Sequence, residues 1–214
     1  MAKTALLFGS TGLIGSLLLE ELLKDPGYDS VKIFVRQHLS LKHPKLRQII
    51  IDFHDLNVVK AELSGDVLFS CLGTTIKTTP SKEVRRFVDY EIPVQLAAIC
   101  EEQKIETFMV VSSVGASAAS SNFYLRTKGE MEAAVSRIHI PRIVLMQPSF
   151  ILGSRAESRG GERIFGLLFR GIAPLMFGSI RKYRPISGLQ IARAMVSAVN
   201  NKPGISILHY DEMK

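Results

Sequence analysis

The chain has no tryptophan, only two cysteines and five histidines in 214 residues, and no apolar run approaching the roughly 20 residues of a membrane span. Cys71 and Cys100 fall at a strand end and in a helix, where they read as small buried hydrophobes rather than a disulfide or metal pair. Histidines and carboxylates do not cluster at ligand spacing, so no metal is expected. A charged leader followed by an apolar stretch and a small-residue cleavage site is also missing, which makes a cytoplasmic setting the expectation. Neither internal repeats nor low-complexity tracts occur. Lysine and arginine are not interleaved with stacking aromatics, which argues against a nucleic-acid partner.

What is present is a 46% hydrophobic chain, enough for a good core in one domain. Near-continuous apolar runs at 31–36, 47–52, 66–71, 107–113, 142–147 and 205–210 follow a first strand at 4–8 and read as parallel strands covered on both faces. Helical stretches at 13–23, 55–62, 81–103 with a kink at Pro93, 122–138, 161–170 and 188–200 lie between them. Only about ten residues separate the second and third strands, so that crossover helix is short or absent. The alternation predicts an α/β fold, a doubly wound parallel sheet. The whole of 1–214 forms one domain, with 153–187 as a small substrate-cover segment.

The first strand runs into "GSTGLIG", where Gly9, Gly12 and Gly15 recur every third residue and the first two precede the helical periodicity. In a doubly wound sheet this turn binds phosphate: bare backbone lets amides approach a pyrophosphate, and the helix start supplies partial positive charge. Glycines of an ordinary strand-to-helix turn are the competing account. The second strand ends at Arg36, 21 residues after Gly15, where a guanidinium suits a ribose 2′-phosphate and a carboxylate would suit a 2′-hydroxyl. This favours NADP over NAD; a solvated arginine is the alternative. Asp52 and Phe53 end the third strand beside an expected adenine edge, although a surface carboxylate fits the spacing equally. Leu72, Gly73 and Thr74 follow the fourth strand, where a backbone approach to ribose and a plain turn are equally good readings.

The fifth strand ends in Ser112 and Ser113, and eleven residues after Ser113 comes Tyr124, with Lys128 one helical turn on. Spacing of i, i+4 puts phenol and ammonium on one helix face. A tyrosine exchanges protons poorly near neutrality unless a positive charge stabilises its phenolate, and Lys128 supplies one. A serine hydroxyl alongside can support charge developing on a carbonyl oxygen.

Together "GSTGLIG", "VVSSVGA", "YLRTKGEME" and "QPSFILG" resemble the short-chain dehydrogenase/reductases, specifically the atypical, extended-like NAD(P)-binding branch with the Tat-interacting-protein-like oxidoreductases. The resemblance spans Leu6 to about Val199. It implies cofactor phosphates over Gly9, Ser10, Thr11, Gly12, Leu13, Ile14 and Gly15, with Arg36 at the 2′-phosphate and Asp52 and Phe53 at adenine. It places Leu72, Gly73 and Thr74 at the ribose and the Pro148 loop at the nicotinamide. Ser113, Tyr124 and Lys128 are then the catalytic set, with Lys128 also holding the ribose. Three departures stand out: 81–103 contains no asparagine for a proton relay, the usual "RPG" is Gln147-Pro148-Ser149, and adjacent Ser112 and Ser113 face opposite ways on a strand.

Residues 153–184 hold seven arginines and lysines against Glu157 and Glu162, five of the chain's seven net positive charges. An anionic or phosphorylated small-molecule substrate, a membrane surface or a protein partner would each fit this segment, as would an ordinary lid with solvated arginines. The apolar stretch within it is broken by Gly166, Gly171 and Pro174, too short to span a bilayer. The function expected is an NADP-dependent oxidoreductase acting on a carbonyl or alcohol; the competing class is a non-catalytic NADPH sensor or scaffold. Monomer and homodimer both fit, the resemblance implying pairing through helices near 81–103 and 122–138.

Overall fold

Seven strands lie side by side in the order β3-β2-β1-β4-β5-β6-β9, every neighbouring pair parallel. The computed structural model describes residues 2–58, 60–74, 81–152 and 178–214. Strands β1 (Lys3–Phe8), β2 (Tyr28–Val35), β3 (Leu46–Ile50), β4 (Val67–Ser70), β5 (Thr107–Val111), β6 (Arg142–Met146) and β9 (Gly204–Leu208) form the sheet. Helix α1 (Leu13–Lys24) packs with α5 (Gly188–Ala198) on one face, while α2 (Lys82–Arg86), α3 (Ile92–Glu102) and α4 (Phe123–Val135) share the other. Two short strands, β7 (Ile151–Leu152) and β8 (Ile186–Ser187), pair apart from the main sheet. This is the expected doubly wound arrangement, and the direction of winding reverses between β1 and β4.

The period-2 geometry of a strand splits each apolar run between two cores. Ala5 and Leu7 of β1 enter the α1 side with Leu18, Leu22, Ile191 and Met195, whereas Leu6 and Phe8 enter the α4 side with Leu96, Phe108 and Met131. One strand carries an unexpected passenger. Lys32 of β2 is 9% exposed, and its ammonium donates to the Glu62 carbonyl, the Ser64 carbonyl and the Ser64 hydroxyl at 3.0 to 3.1 Å. Burial lowers its pKa, helped by Arg47 and opposed by Glu62.

One helical expectation holds and two change. No helix forms between β2 and β3, and within 55–62 the described residues make only a 3₁₀ turn at Lys60–Glu62. The long helix expected over 81–103 is divided by a π turn at Phe87–Glu91, where the Ile92 amide reaches back to the Phe87 carbonyl. Pro93 accounts for the break: it has no N–H for the Asp89 carbonyl, and its ring would collide with that carbonyl in a regular helix. The expected helix at 161–170, and the cover segment from 153 to 177, lie outside the described residues.

Candidate active site

At the carboxyl ends of β1 and β4 the chain is packed backbone to backbone. Gly9 has a φ of +81°, and a Cβ there would stand 2.7 Å from the Cys71 carbonyl carbon. Gly12 caps α1 with no side-chain hydrogen bond, and no acidic residue stands in the helix's first turn. Among the described residues the amides that open α1 therefore meet no side-chain cap, which leaves them available to an anion. Ser10 is buried, and its hydroxyl has no partner among the described residues. A bare amide rim with an orphaned hydroxyl fits a pyrophosphate.

A cavity of about 1240 Å³ opens from this turn and gathers most of the expected cofactor residues: Gly9, Ser10, Thr11, Gly12 and Arg36 line it. Asp52, Phe53, Leu72, Gly73 and Thr74 line it too. Its far end adds a pair the sequence did not announce, His54 stacked on Phe87 with ring centroids 4.4 Å apart. Arg36 is exposed at the rim. The other part of the expected phosphate loop faces inward. Ile14 belongs to the core, Leu13 packs beside Gly188, and Gly15 meets the Gly9 backbone, so beyond Gly12 only main-chain groups are offered. Cys71 also lines the cavity, but burial pushes its thiol up to about 12, which keeps it protonated and unreactive.

None of Ser112, Ser113, Tyr124, Lys128 and Pro148 is part of that lining; Tyr124 and Lys128 stand on α4, and the other three follow the carboxyl ends of β5 and β6. Asn122 starts α4 by accepting hydrogen bonds from the Tyr124 and Leu125 amides at 2.9 and 3.2 Å, fixing the phenol in the first turn. The loop after β5 lies directly across α4, because Gly129 has no side chain: a Cβ there would be 2.2 Å from the Ser117 carbonyl carbon. The Val114 amide donates to the Pro148 carbonyl at 3.0 Å, which straps the two loops together. Ser112 is buried and Ser113 half-buried. Tyr124 is half-buried as well.

Lys128 sits beneath them, 1% exposed, donating to the Val111 carbonyl at 3.0 Å and paired with Asp89 at 2.9 Å. Burial draws its pKa down, but Asp89 and then Tyr124 more than offset this, so the ammonium ends above its ordinary value. Asp89 comes from the π turn and was not among the expected site residues, since only an asparagine was sought there. The Thr74 hydroxyl donates to Asp89 Oδ2 at 2.5 Å, so cavity wall, carboxylate and ammonium form one connected line. Behind Ser112 lies a second unforeseen carboxylate, Glu132, which accepts from the Gln147 amide at 2.9 and 3.0 Å. Burial raises its pKa, opposed by Ser112, Gln147 and Lys128.

A family model described as NAD(P)H-binding matches residues 9–144, which contain the glycine turn, the cavity and both members of the Tyr124–Lys128 pair. The chain belongs to the NAD(P)H-binding family. This NAD(P)H-binding protein is 33% identical over 158 residues to the mitochondrial protein FMP52 of Meyerozyma guilliermondii, covering 73% of the chain and 68% of the relative. It is 32% identical over 174 residues to rat HTATIP2, covering 78% and 72%. Its fold matches the Bordetella bronchiseptica enzyme WbmH in complex with NAD+ at a TM-score of 0.72 and 15% identity, over 98% of this chain and 76% of that one. The resemblance to the atypical short-chain dehydrogenase/reductases holds. The cytoplasmic expectation does not: the FMP52 proteins of Meyerozyma guilliermondii, Debaryomyces hansenii and Coccidioides immitis are all named mitochondrial. A secretory pattern reports on secretion alone and does not distinguish a mitochondrial from a cytoplasmic setting.

Proposed function

We propose that this NAD(P)H-binding protein is an NADP-dependent oxidoreductase that interconverts a carbonyl and an alcohol on a small substrate. The observation that carries the reading is the connected line from the cavity wall at Thr74 through Asp89 to Lys128, one turn from Tyr124. It joins the cavity that opens from the glycine turn to a proton-handling pair. NADPH, when bound, supplies the hydride.

The chain's own groups do the rest. The amides opening α1 and the Ser10 hydroxyl bind the pyrophosphate, and Arg36 meets the 2′-phosphate. Asp52 and Phe53 border the adenine, with Leu72, Gly73 and Thr74 along the ribose. Tyr124 gives its phenolic proton to the oxygen of the carbonyl undergoing reduction, or takes one from the alcohol in reverse. Lys128 stabilises the phenolate left behind and offers a donor to the ribose. Ser113 hydrogen-bonds the same substrate oxygen, and Pro148 borders the ring. The basic segment 153–184 would favour an anionic substrate. The names of the FMP52 relatives support a mitochondrial setting.

Titration with NADPH and NADH, followed by a screen of carbonyl compounds with the native chain and Tyr124→Phe, tests the reading. Tight NADPH binding, with turnover lost in the variant, is the expected result. Turnover that survives Tyr124→Phe would remove the phenol from the chemistry.

A further inference from the structure

We infer that Asp89 is a positioning residue for this site: it holds Lys128 as a fixed ammonium and ties that charge, through Thr74, to the loop that walls the dinucleotide cavity. The inference rests on the proposed role of Lys128 toward the cofactor and goes beyond it by naming what makes that role available.

The donor and acceptor inventory carries the argument. An ammonium has three N–H donors and no acceptor. Lys128 gives one to the Val111 carbonyl at 3.0 Å and directs its charge at Asp89 Oδ1, 2.9 Å away, which leaves two donors outside any hydrogen bond among the described residues. Asp89 meets Thr74 through Oδ2 and Lys128 through Oδ1, so its two oxygens face two different elements. The contact with Lys128 is an ion pair out of line with hydrogen-bond geometry. Both side chains are 2% exposed. A buried ammonium without a counter-charge sheds its proton, and the neutral amine could neither support a phenolate nor attract a phosphate-bearing ligand.

The groups that face Lys128 are few. Asp89 approaches from the π turn, Tyr124 and Glu132 from its own helix, and the Val111 carbonyl from β5. Among the described residues Asp89 is the only carboxylate paired with it. An asparagine in the same place could accept a hydrogen bond and orient the ammonium, but it would bring no charge to keep it protonated. The π turn matters because it is the local shape that Pro93 imposes where Asp89 must turn inward. Gly73 leaves the carboxylate close behind the cavity wall, since a Cβ at that position would stand 3.7 Å from Asp89 Oδ1.

The test titrates the full chain and Asp89→Asn with NADPH between about pH 7 and about pH 9, where neither an ordinary carboxylate nor an ordinary lysine changes charge, and follows thermal unfolding over the same range. The native affinity should stay constant, while that of Asp89→Asn should fall about tenfold or more as Lys128 loses its proton. Unfolding supplies an independent reading. A lysine whose folded pKa is depressed binds fewer protons folded than unfolded, so the melting temperature of Asp89→Asn should climb with pH more steeply than that of the native chain. The double variant Asp89→Asn, Lys128→Met should show neither trend. If the pH profiles of Asp89→Asn match those of the native chain in both measurements, Lys128 keeps its charge unaided and the inference is overturned. Should the native chain bind no dinucleotide, the functional reading fails by itself, and the unfolding profiles still decide whether Asp89 holds the charge. If Asp89→Asn fails to fold while the double variant folds, the dependence of Lys128 on its counter-charge is supported; if both fail, the pair serves packing and the inference falls.

Discussion

Gly15 lies so close to Gly9 that a Cβ on it would stand 2.1 Å from the Gly9 carbonyl oxygen, inside any allowed contact. Helix α1 can therefore begin directly against the end of β1 only with hydrogen at this position. That approach shapes the amide rim proposed to hold the cofactor phosphates.

Gly15→Ala should push α1 away from the turn. The expected cost is about 1–3 kcal/mol of stability, the range for forced overpacking, measured by urea unfolding. NADPH affinity should fall as well, because the rim amides move with the helix. Normal stability and normal affinity together would show that the close approach is unimportant to the site.

Arg36 provides a charge test. Arg36→Asp should weaken NADPH binding by about ten- to a hundredfold, the value of a hydrogen bond to a charged group, while leaving NADH binding little changed or improved. Paired titrations of both proteins with both cofactors measure it. Equal NADPH binding by the two would remove Arg36 from the 2′-phosphate.

Glu132 gives a prediction in pH. Its pKa is raised in the folded chain, principally by burial, so the folded state binds more protons than the unfolded state above the ordinary carboxyl value near 4.3. Stability contributed by the protonated form is thus present at low pH and lost as pH rises through the folded pKa. Glu132→Gln should flatten the part of the stability curve that declines above about pH 4.3, read from urea melts across pH. An unchanged slope would mean that the carboxyl titrates as an ordinary surface group.

The strands and the turn could be read from the sequence because each rests on local pattern. Apolar runs such as 31–36 and 142–147 are long enough to signal burial on two sides, and Gly9 to Gly12 fall between a strand and a helix. The Asp89–Lys128 pair was not legible, since its partners are 39 positions apart and meet only because a π turn rotates one of them. Lys32 was hidden similarly: nothing local says that its ammonium will find two carbonyls and a hydroxyl around Ser64. Pro93 was visible as a break, but its effect on the direction of Asp89 required the packed helices.

The most direct measurement is a crystal structure of the chain grown with NADPH. The account predicts the pyrophosphate within hydrogen-bond distance of the amides opening α1, the 2′-phosphate on Arg36, and the nicotinamide end beside Tyr124 and Lys128. A dinucleotide bound elsewhere, or seated with its reactive ring away from Tyr124, would contradict it.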